Sequence, residues 1–185
     1  MTQDCLAKQT DTSMEDLSPI GAVSVFHSAI ATFFAPGDMS GIHGMRRERI
    51  RSTPSWRGGG PRRDCAFLVE DDDKAGMSGM AVVRIILFFS VAYNGLQYPC
   101  ALVEWFHRVG CDPTTGMWVV CPHRTRGIWD RTVVHLDCFL RAAHLIPMYG
   151  KQKIPLDFHY SYSLGAFESY YVNKYIDHHS YKVVF

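Results

Sequence analysis

The alternation of apolar and polar positions predicts a chain built mainly from short β-strands. Residues 22–34 mix Val, Phe and Thr with small polar residues, and we expect a strand because such side chains favour a pleated surface. Ala and Phe also recur there at helical spacing, so a helix is the alternative. Pro36 and Gly37 end this segment in a turn, and residues 64–69 predict the next strand.

Two apolar runs on either side of Asn94-Gly95 predict a tight β-hairpin. The first covers residues 80–93 and the second covers residues 96–106. Asn-Gly suits the two central positions of a type I′ turn, because both positions need a positive φ. Both runs are apolar on both faces for part of their length, which indicates strands in the middle of a sheet. Pro99 lacks a backbone donor, so it should lie near a strand start or at an edge.

The rest of the chain predicts further short strands and one helix. Strands are expected at residues 117–121 and 131–136, with a loop over residues 122–130 between them. Asp137 is expected to cap a brief helical turn that runs to residue 144, because its carboxylate can accept free amide protons. A stripe of Leu and aromatic residues predicts a C-terminal helix from residue 163 to about residue 178.

Together these elements predict a mainly β fold with one C-terminal helix, in the form of a small curled barrel or sandwich. The chain has 185 residues, of which 47% are hydrophobic, enough for one buried core. We expect a single domain over residues 21–185. Residues 1–20 are polar with little periodic hydrophobicity, so a disordered N-terminal tail is expected there.

Composition narrows the classes of partner. Lys and Arg number 19 against 18 Asp and Glu, so any affinity for nucleic acid must come from a local patch. The six cysteines form no C-x-x-C pair and follow no signal peptide, which predicts a reduced intracellular chain with buried free thiols. The longest apolar run, around residues 85–89, is too short to cross a bilayer, so no membrane partner is expected.

A local basic patch lies between residues 41 and 63. Its glycines and prolines predict a mobile loop. Arginine forks bind phosphate bidentately, and an exposed indole can stack on a base. The alternative is an arginine loop that serves only solubility, with Trp56 filling the barrel. The candidate residues for nucleic-acid binding are Arg46, Arg47, Arg49, Arg51, Trp56, Arg57, Arg62 and Arg63.

The sequence offers three other kinds of candidate site: an aromatic cage, a cysteine nucleophile and a metal site. An aromatic cage for methylated lysine needs several ring faces around one cation, whereas aromatic residues in strands more often fill a core. Single cysteines such as Cys100 and Cys138, inside apolar runs, are more typical of inert core thiols than of nucleophiles. The histidines lack paired zinc-ligand spacing, so no metal, cofactor or catalytic residue is expected. The cage candidates are Tyr93, Tyr98, Trp105 and Trp118.

Several strings of specific residues carry a family resemblance. They cover residues 26–29, 49–56, 98–101, 115–118 with Asp112, 135–150 and 171–179. In these strings the chain resembles the C-terminal accessory region of fungal CACTA-like transposon proteins of the Plavaka type. The strand, hairpin and strand layout, followed by a Leu-Asp-x-x-Leu-Arg turn at residues 136–141, also resembles bromo-adjacent-homology (BAH-like) barrels.

The transposon resemblance implies a non-catalytic binding or assembly module in the nucleus, with DNA, chromatin or a transposase core as partner. A transposase core needs separated carboxylates that hold two divalent metals. Here the acidic residues cluster at 70–73 and otherwise stand singly, so the cutting activity is not carried over and no enzyme is expected. A protein–protein interaction domain and a decayed transposon remnant without a selected function are the alternatives. The oligomeric state is left open.

Overall fold

The computed structural model of the chain describes residues 22–38, 41–151 and 153–184. Within these residues the protein is mainly β, as predicted, and its largest sheet is a nearly closed barrel. The disordered tail expected over residues 1–20 lies outside the described residues. No helix in the described part of the chain is long and apolar enough to span a membrane.

Short strands account for most of the ordered backbone. The strands are β1 (Val23–Phe26), β2 (Ser28–Phe34), β3 (Met45–Thr53), β4 (Arg62–Arg63), β5 (Cys65–Val69), β6 (Met80–Tyr93), β7 (Leu96–Cys111), β8 (Trp118–Pro122), β9 (Arg124–Thr125), β10 (Ile128–Trp129), β11 (Arg131–His135), β12 (Phe139–Ala143), β13 (Leu145–Pro147) and β14 (Tyr170–Val172). The helices are α1 (Ser163–Ala166) and α2 (His178–Val184), and short 3-10 turns lie at Ile42–Gly44, Gly76–Ser78, Leu136–Cys138 and Tyr160–Tyr162.

One segment of chain brings the two ends of the large sheet together. The strand order is β12-β5-β6-β7-β8-β14-β13, with β1 paired to β6 and β11 paired to β7. β12 pairs with β5 and β13 pairs with β14. Only His144 separates β12 from β13 along the chain. Residues 139–147 therefore form the closing segment of the barrel.

The predicted hairpin is confirmed. β6 covers Met80–Tyr93 as expected, and β7 continues past the expected end at residue 106 to reach Cys111. Asn94 and Gly95 form the turn with φ values of 49° and 75°. Pro99 stands opposite Ser90, next to the point where β11 begins to pair with β7. The Asn-Gly signal is local, which is why the sequence alone locates this turn.

The two faces of β6 pack into two hydrophobic clusters. Val82 and Phe106 belong to the cluster that fills the barrel, together with residues of β5, β8 and β14. Val83 belongs to the second cluster, on the other face, which the β2–β3 hairpin covers through Ile50. Both Val82 and Val83 are fully buried. This double burial explains why the β6 run is apolar at successive positions instead of alternating.

The prediction of a mobile basic loop over residues 41–63 is wrong for much of this range. Met45–Thr53 is strand β3, which pairs with all of β2 in antiparallel register. Glycine and proline concentrate in residues 54–61, and this shorter segment connects β3 to β4. The first expected strand is confirmed, but His27 divides it, so that β1 pairs with β6 and β2 pairs with β3.

The predictions of a helical turn after Asp137 and of a helix from residue 163 to about residue 178 are also wrong. Asp137 lies in a 3-10 turn capped by His135, whose Nδ1 accepts the Asp137 N–H at 3.2 Å, and strand β12 follows. In the expected C-terminal helix, α1 has four residues and β14 then pairs with β8 and β13. Aromatic and β-branched residues gain more from these distant pairings than from a local helix. The expected loop at 122–130 contains the small β9–β10 hairpin.

Candidate nucleic-acid interface

A tight turn after β3 presents Trp56 and Arg57. The Gly59 N–H donates to the Trp56 carbonyl at 2.9 Å, and the two residues between them, Arg57 and Gly58, have φ values of 52° and 77°. Positive φ at both central positions is the geometry of a type I′ turn. Arg57 is exposed at the tip of this turn. A left-handed backbone costs a residue with a side chain about 1–2 kcal/mol, so the turn holds Arg57 under strain.

Three guanidinium groups lie over the half-buried ring of Trp56. The distance from the Cζ atom to the ring centroid is 4.8 Å for Arg51, 5.4 Å for Arg57 and 4.8 Å for Arg62. A cation within about 6 Å of an indole face is attracted by the ring quadrupole. Trp56 therefore gathers three like charges at one place. A base can stack on this ring only where a guanidinium moves aside.

One carboxylate faces this cluster. Asp64 accepts from Arg62 Nε at 2.8 Å and from Arg62 Nη2 at 3.3 Å, and it also accepts the Arg51 backbone N–H at 2.9 Å. Among the described residues, Arg51, Arg57 and the neighbouring Arg63 make no ion pair. The cluster therefore keeps an excess of positive charge, and an anion such as a phosphate would balance it.

An open cleft of about 710 Å³ adjoins the Trp56 turn, and we call it the Trp56 cleft. Arginines of the turn and of β4 form one wall. The other wall is formed by the segment around the last 3-10 turn, including Tyr160. The candidate residues that line the cleft are Trp56, Arg57, Arg62 and Arg63. The structure thus brings together half of the residues that the sequence suggested for nucleic-acid binding.

Arg84 also lines the cleft, although the sequence did not single it out. Glu104, only 1% exposed, accepts hydrogen bonds from Arg84 and, at 2.9 and 2.7 Å, from Arg131. Arg84 Nη1 also donates to the Leu164 carbonyl at 3.1 Å. Arg84 is thus already paired with Glu104, and its bond to Leu164 ties the sheet to the far wall. The signal in the sequence was one Arg and one Glu facing each other inside two apolar runs.

The outer face of β3 extends the positive surface. Arg47, Arg49 and Arg51 alternate with inward residues such as Ile50, so they share one face of the strand. The two-residue repeat of a strand spaces them by about 6.7 Å. Arg47 and Arg49 are exposed, and no described acidic group pairs with them. We call these three residues the β3 arginine row.

Arg46 points to the opposite face of β3 and has a different environment. Its Nη1 lies 3.5 Å from Asp38 and 3.4 Å from Asp177. Asp177 also binds the buried Arg141 at 2.7 Å. Burial opposes ionisation of Asp177, but the hydrogen bonds and charges of Arg141 and Arg46 outweigh it and hold its pKa well below the ordinary value. Arg46 therefore belongs to an internal ion cluster and not to the nucleic-acid candidates.

The four aromatic-cage candidates do not surround one site. Tyr93 and Tyr98 lie together at the end of the hairpin, with ring centroids 6.5 Å apart. Trp105 packs against the cluster covered by the β2–β3 hairpin and donates from Nε1 to Thr132 Oγ1 at 3.0 Å. Trp118 packs against the other cluster, inside the barrel. The two tryptophans thus pack on opposite faces of the sheet.

The five cysteines in the described part of the chain are free thiols with different exposure. Cys138 is buried, as predicted for a core thiol, whereas Cys100, for which the same was predicted, is only partly buried. Cys65 is also buried, and Cys111 is exposed. Burial raises the pKa of Cys65 to about 12, although the charge of Arg84 works against it. Burial also raises the pKa of Cys100. A protonated thiol is a poor nucleophile. Across residues 22–38, 41–151 and 153–184, no three His, Cys, Asp or Glu side chains are grouped to hold a metal ion.

Comparisons with known proteins found no match for this chain. It matches no protein-family model, no curated protein and no solved structure. The likeness to Plavaka-type transposon proteins and to BAH-like barrels therefore stays a prediction from the sequence.

Proposed function

We propose that the protein is a non-catalytic module that binds nucleic acid through phosphate contacts at the Trp56 cleft. The observation that carries the proposal is the set of three guanidiniums held over one indole at the edge of an open cleft. Arginine binds phosphate bidentately, and packing on a ring reduces the freedom that each guanidinium loses on binding. Asp64 balances only one of the three charges.

The β3 arginine row supports an extended phosphate contact. It begins at Arg51, beside Trp56, and continues through Arg49 and Arg47 along one exposed face. Together with Arg57 and Arg63, this surface offers roughly five phosphate contacts, so the logarithm of affinity should fall against the logarithm of salt with a slope of roughly −4. The transposon resemblance supports DNA in the nucleus as the target.

The test is fluorescence anisotropy of the full chain with a labelled oligonucleotide, titrated with salt. The double variant Arg57→Gly/Arg63→Ala should weaken binding by about tenfold or more and reduce the salt slope by about two. Arg126→Gly is the matched control. Arg126 and Gly127 also have positive φ, at 54° and 80°, in the β9–β10 turn, and neither residue lines the cleft. Unchanged binding and slope in the double variant would refute the proposal.

A protein–protein interaction module is the second candidate. Strand β1 pairs with β6 but leaves Val23, Val25 and Phe26 about half exposed. Exposed apolar side chains on one strand suit a protein partner such as the transposase core that the resemblance implies. Apolar contacts depend little on salt, so a flat salt response would favour this candidate over nucleic acid.

A further inference from the structure

An exposed aromatic ring, that of Tyr160, stands on the wall of the Trp56 cleft opposite the arginines. Tyr160 lines the cleft and is 56% exposed, and Tyr162, in the same 3-10 turn, is 65% exposed. Aromatic side chains usually bury most of their surface, because exposed apolar area is unfavourable in water. Here the Tyr160 ring faces the solvent in a cleft that Arg57 and Arg63 also line, and neither arginine makes an ion pair among the described residues.

Local hydrogen bonds hold the aromatic wall in place. The ring centroids of His159 and Tyr160 lie 4.1 Å apart. The Nδ1 atom of His159 is 2.8 Å from Ser161 Oγ. The Ser163 hydroxyl donates to the Tyr160 carbonyl at 2.8 Å. A Cβ atom on Gly59 would lie 3.2 Å from the Tyr160 hydroxyl, so this glycine lets the Trp56 turn approach the ring closely. The backbone of the Trp56 turn therefore lies close to the Tyr160 hydroxyl.

A second aromatic pocket adjoins the same segment of chain. It has a volume of about 740 Å³ and is lined by Tyr149, Phe158 and Phe167. The Phe167 ring packs edge-on against the rings of Tyr149 and Phe158, with centroid distances of 5.1 Å and 5.8 Å. Tyr149 is 63% exposed, and two exposed lysines, Lys151 and Lys153, stand at the pocket. Rings and positive charges thus recur next to the Trp56 cleft.

These observations favour a ligand with both phosphates and free base faces. In a duplex the base faces are covered by stacking, whereas a single strand offers them to aromatic side chains. The Trp56 ring is already covered by guanidiniums, so the tyrosines are the available stacking surfaces. We propose that the protein binds single-stranded nucleic acid, with phosphates on Arg57 and Arg63 and bases on Tyr160 and Tyr149. This inference rests on the proposed function and specifies its substrate class.

The experiment compares a labelled oligothymidine of about 16 nucleotides, the upper end of typical site sizes, with a blunt duplex of equal length in the same buffer. The single strand should bind about tenfold more tightly. Tyr160→Leu should weaken single-strand binding roughly fivefold or more, because the stacking of one base on an aromatic ring contributes at least that factor to affinity. Duplex binding should stay unchanged in this variant. Tyr160→Phe keeps the ring and should bind like the original chain. Tyr98→Leu, an exposed tyrosine at the distant hairpin end, is the matched control.

The outcomes separate the two proposals. Equal affinity for both oligonucleotides, with no effect of Tyr160→Leu, overturns the single-strand inference and leaves phosphate binding intact. No binding of either oligonucleotide by the original chain overturns the proposed function itself. If the circular dichroism spectrum shows that Tyr160→Leu does not fold, Tyr149→Leu in the second pocket provides an independent variant. Selective loss of single-strand binding in either folded variant supports the inference.

Discussion

Arg141 donates to both carboxylate oxygens of Asp177, at 2.8 and 2.7 Å, although only 1% of Arg141 is exposed. The pair joins strand β12 to the residue that precedes α2. Asp38 accepts the first backbone N–H groups of α2, from His178 at 2.9 Å and His179 at 3.0 Å. These contacts dock the terminal helix on the barrel through charge as well as through apolar packing.

Replacing Arg141 should be among the most destabilising changes in the chain. Arg141→Ala leaves Asp177 partly buried without its main partner, and breaking a buried pair costs about 3–5 kcal/mol. The free energy of unfolding, from urea titration, measures this loss. Lys74→Ala is the matched control, because Lys74 and Asp71 form an exposed pair at 2.8 Å. An exposed pair contributes at most about 1 kcal/mol, so equal losses in both variants would contradict the assigned role.

Stability should fall as the pH drops below about 6.5, the ordinary pKa of histidine. Burial lowers the pKa of His179, and so do the positive charges of Arg141 and Arg46. The negative charges of Asp177 and Asp38 raise it, but the net effect is a lowered pKa. The unfolded chain then binds more protons than the folded chain, so acid favours unfolding. The midpoint of thermal unfolding should fall between pH 7.5 and pH 5.5, and His179→Gln should flatten that decline. An unchanged decline in the variant would assign the effect elsewhere.

A second acid step should follow below about pH 4, the ordinary range of aspartate. The folded pKa of Asp177 is held low, because its bonds with Arg141 outweigh burial. The stability it contributes is present above the unfolded pKa and is lost as the pH falls further. Asp177→Asn should remove this step and lower stability at pH 7. A step of equal size in Asp177→Asn at pH 3 would rule out this cause.

The two left-handed arginines allow binding to be separated from backbone strain. Arg57→Gly and Arg126→Gly each relieve a positive φ, which offsets the flexibility that glycine adds to the unfolded chain. Unfolding free energies should therefore change by less than about 1 kcal/mol in both. Only Arg57→Gly should weaken oligonucleotide binding. Equal weakening in Arg126→Gly would show that net charge, and not the Trp56 cleft, controls affinity.

Neighbouring arginines on β3 should respond in opposite ways. Arg46→Ala removes an internal partner of Asp38 and Asp177, so it should lower stability and leave the salt slope of binding intact. Arg49→Ala changes an exposed side chain, so its stability should stay within about 0.5 kcal/mol. The same change should reduce the salt slope by about one. Chemical denaturation and salt-titrated anisotropy measure the two effects, and a reversed pattern would contradict the strand orientation.

The cysteines should differ sharply in reactivity. At pH 8, maleimide should label the exposed Cys111 quickly. Cys65 should react only on unfolding, because it is buried and its pKa is raised to about 12. Labelling over time, followed by mass spectrometry of peptides, distinguishes the two. Rapid labelling of Cys65 in the folded chain would contradict its position in the barrel core.

Local signals explain which parts of the fold the sequence predicts. Asn94-Gly95 encodes its own turn, so the hairpin follows from a few adjacent residues. β3 was missed because its arginines and the glycines after it suggested a loop, although Ile50 and Ser52 alternate with them as a strand requires. β12 and β14 are short, and β12 pairs with a partner over seventy residues away. Their stabilising contacts are distant and leave little trace in the local pattern.

The candidate site shows the same division. Arg51, Trp56, Arg57 and Arg62 lie close along the chain, and their proximity to one another followed from the sequence. Tyr160 forms the opposite wall of the cleft from a segment about a hundred residues later. Side-chain alternation decides that Arg46 leaves the site, since neighbouring residues of a strand face opposite ways. That alternation applies because residues 45–53 form a strand, where the sequence pattern predicts a loop.

The closing segment of the barrel has a consequence for aggregation. A strand edge without a partner presents a row of free N–H and C=O groups, which templates pairing with other chains. Residues 139–147 cover the edge of β5 with one half and that of β14 with the other. One local opening of this segment would therefore uncover two such edges at once. Arg141 lies in this segment and binds Asp177, next to α2, so we expect the buried ion pair also to keep these two edges covered.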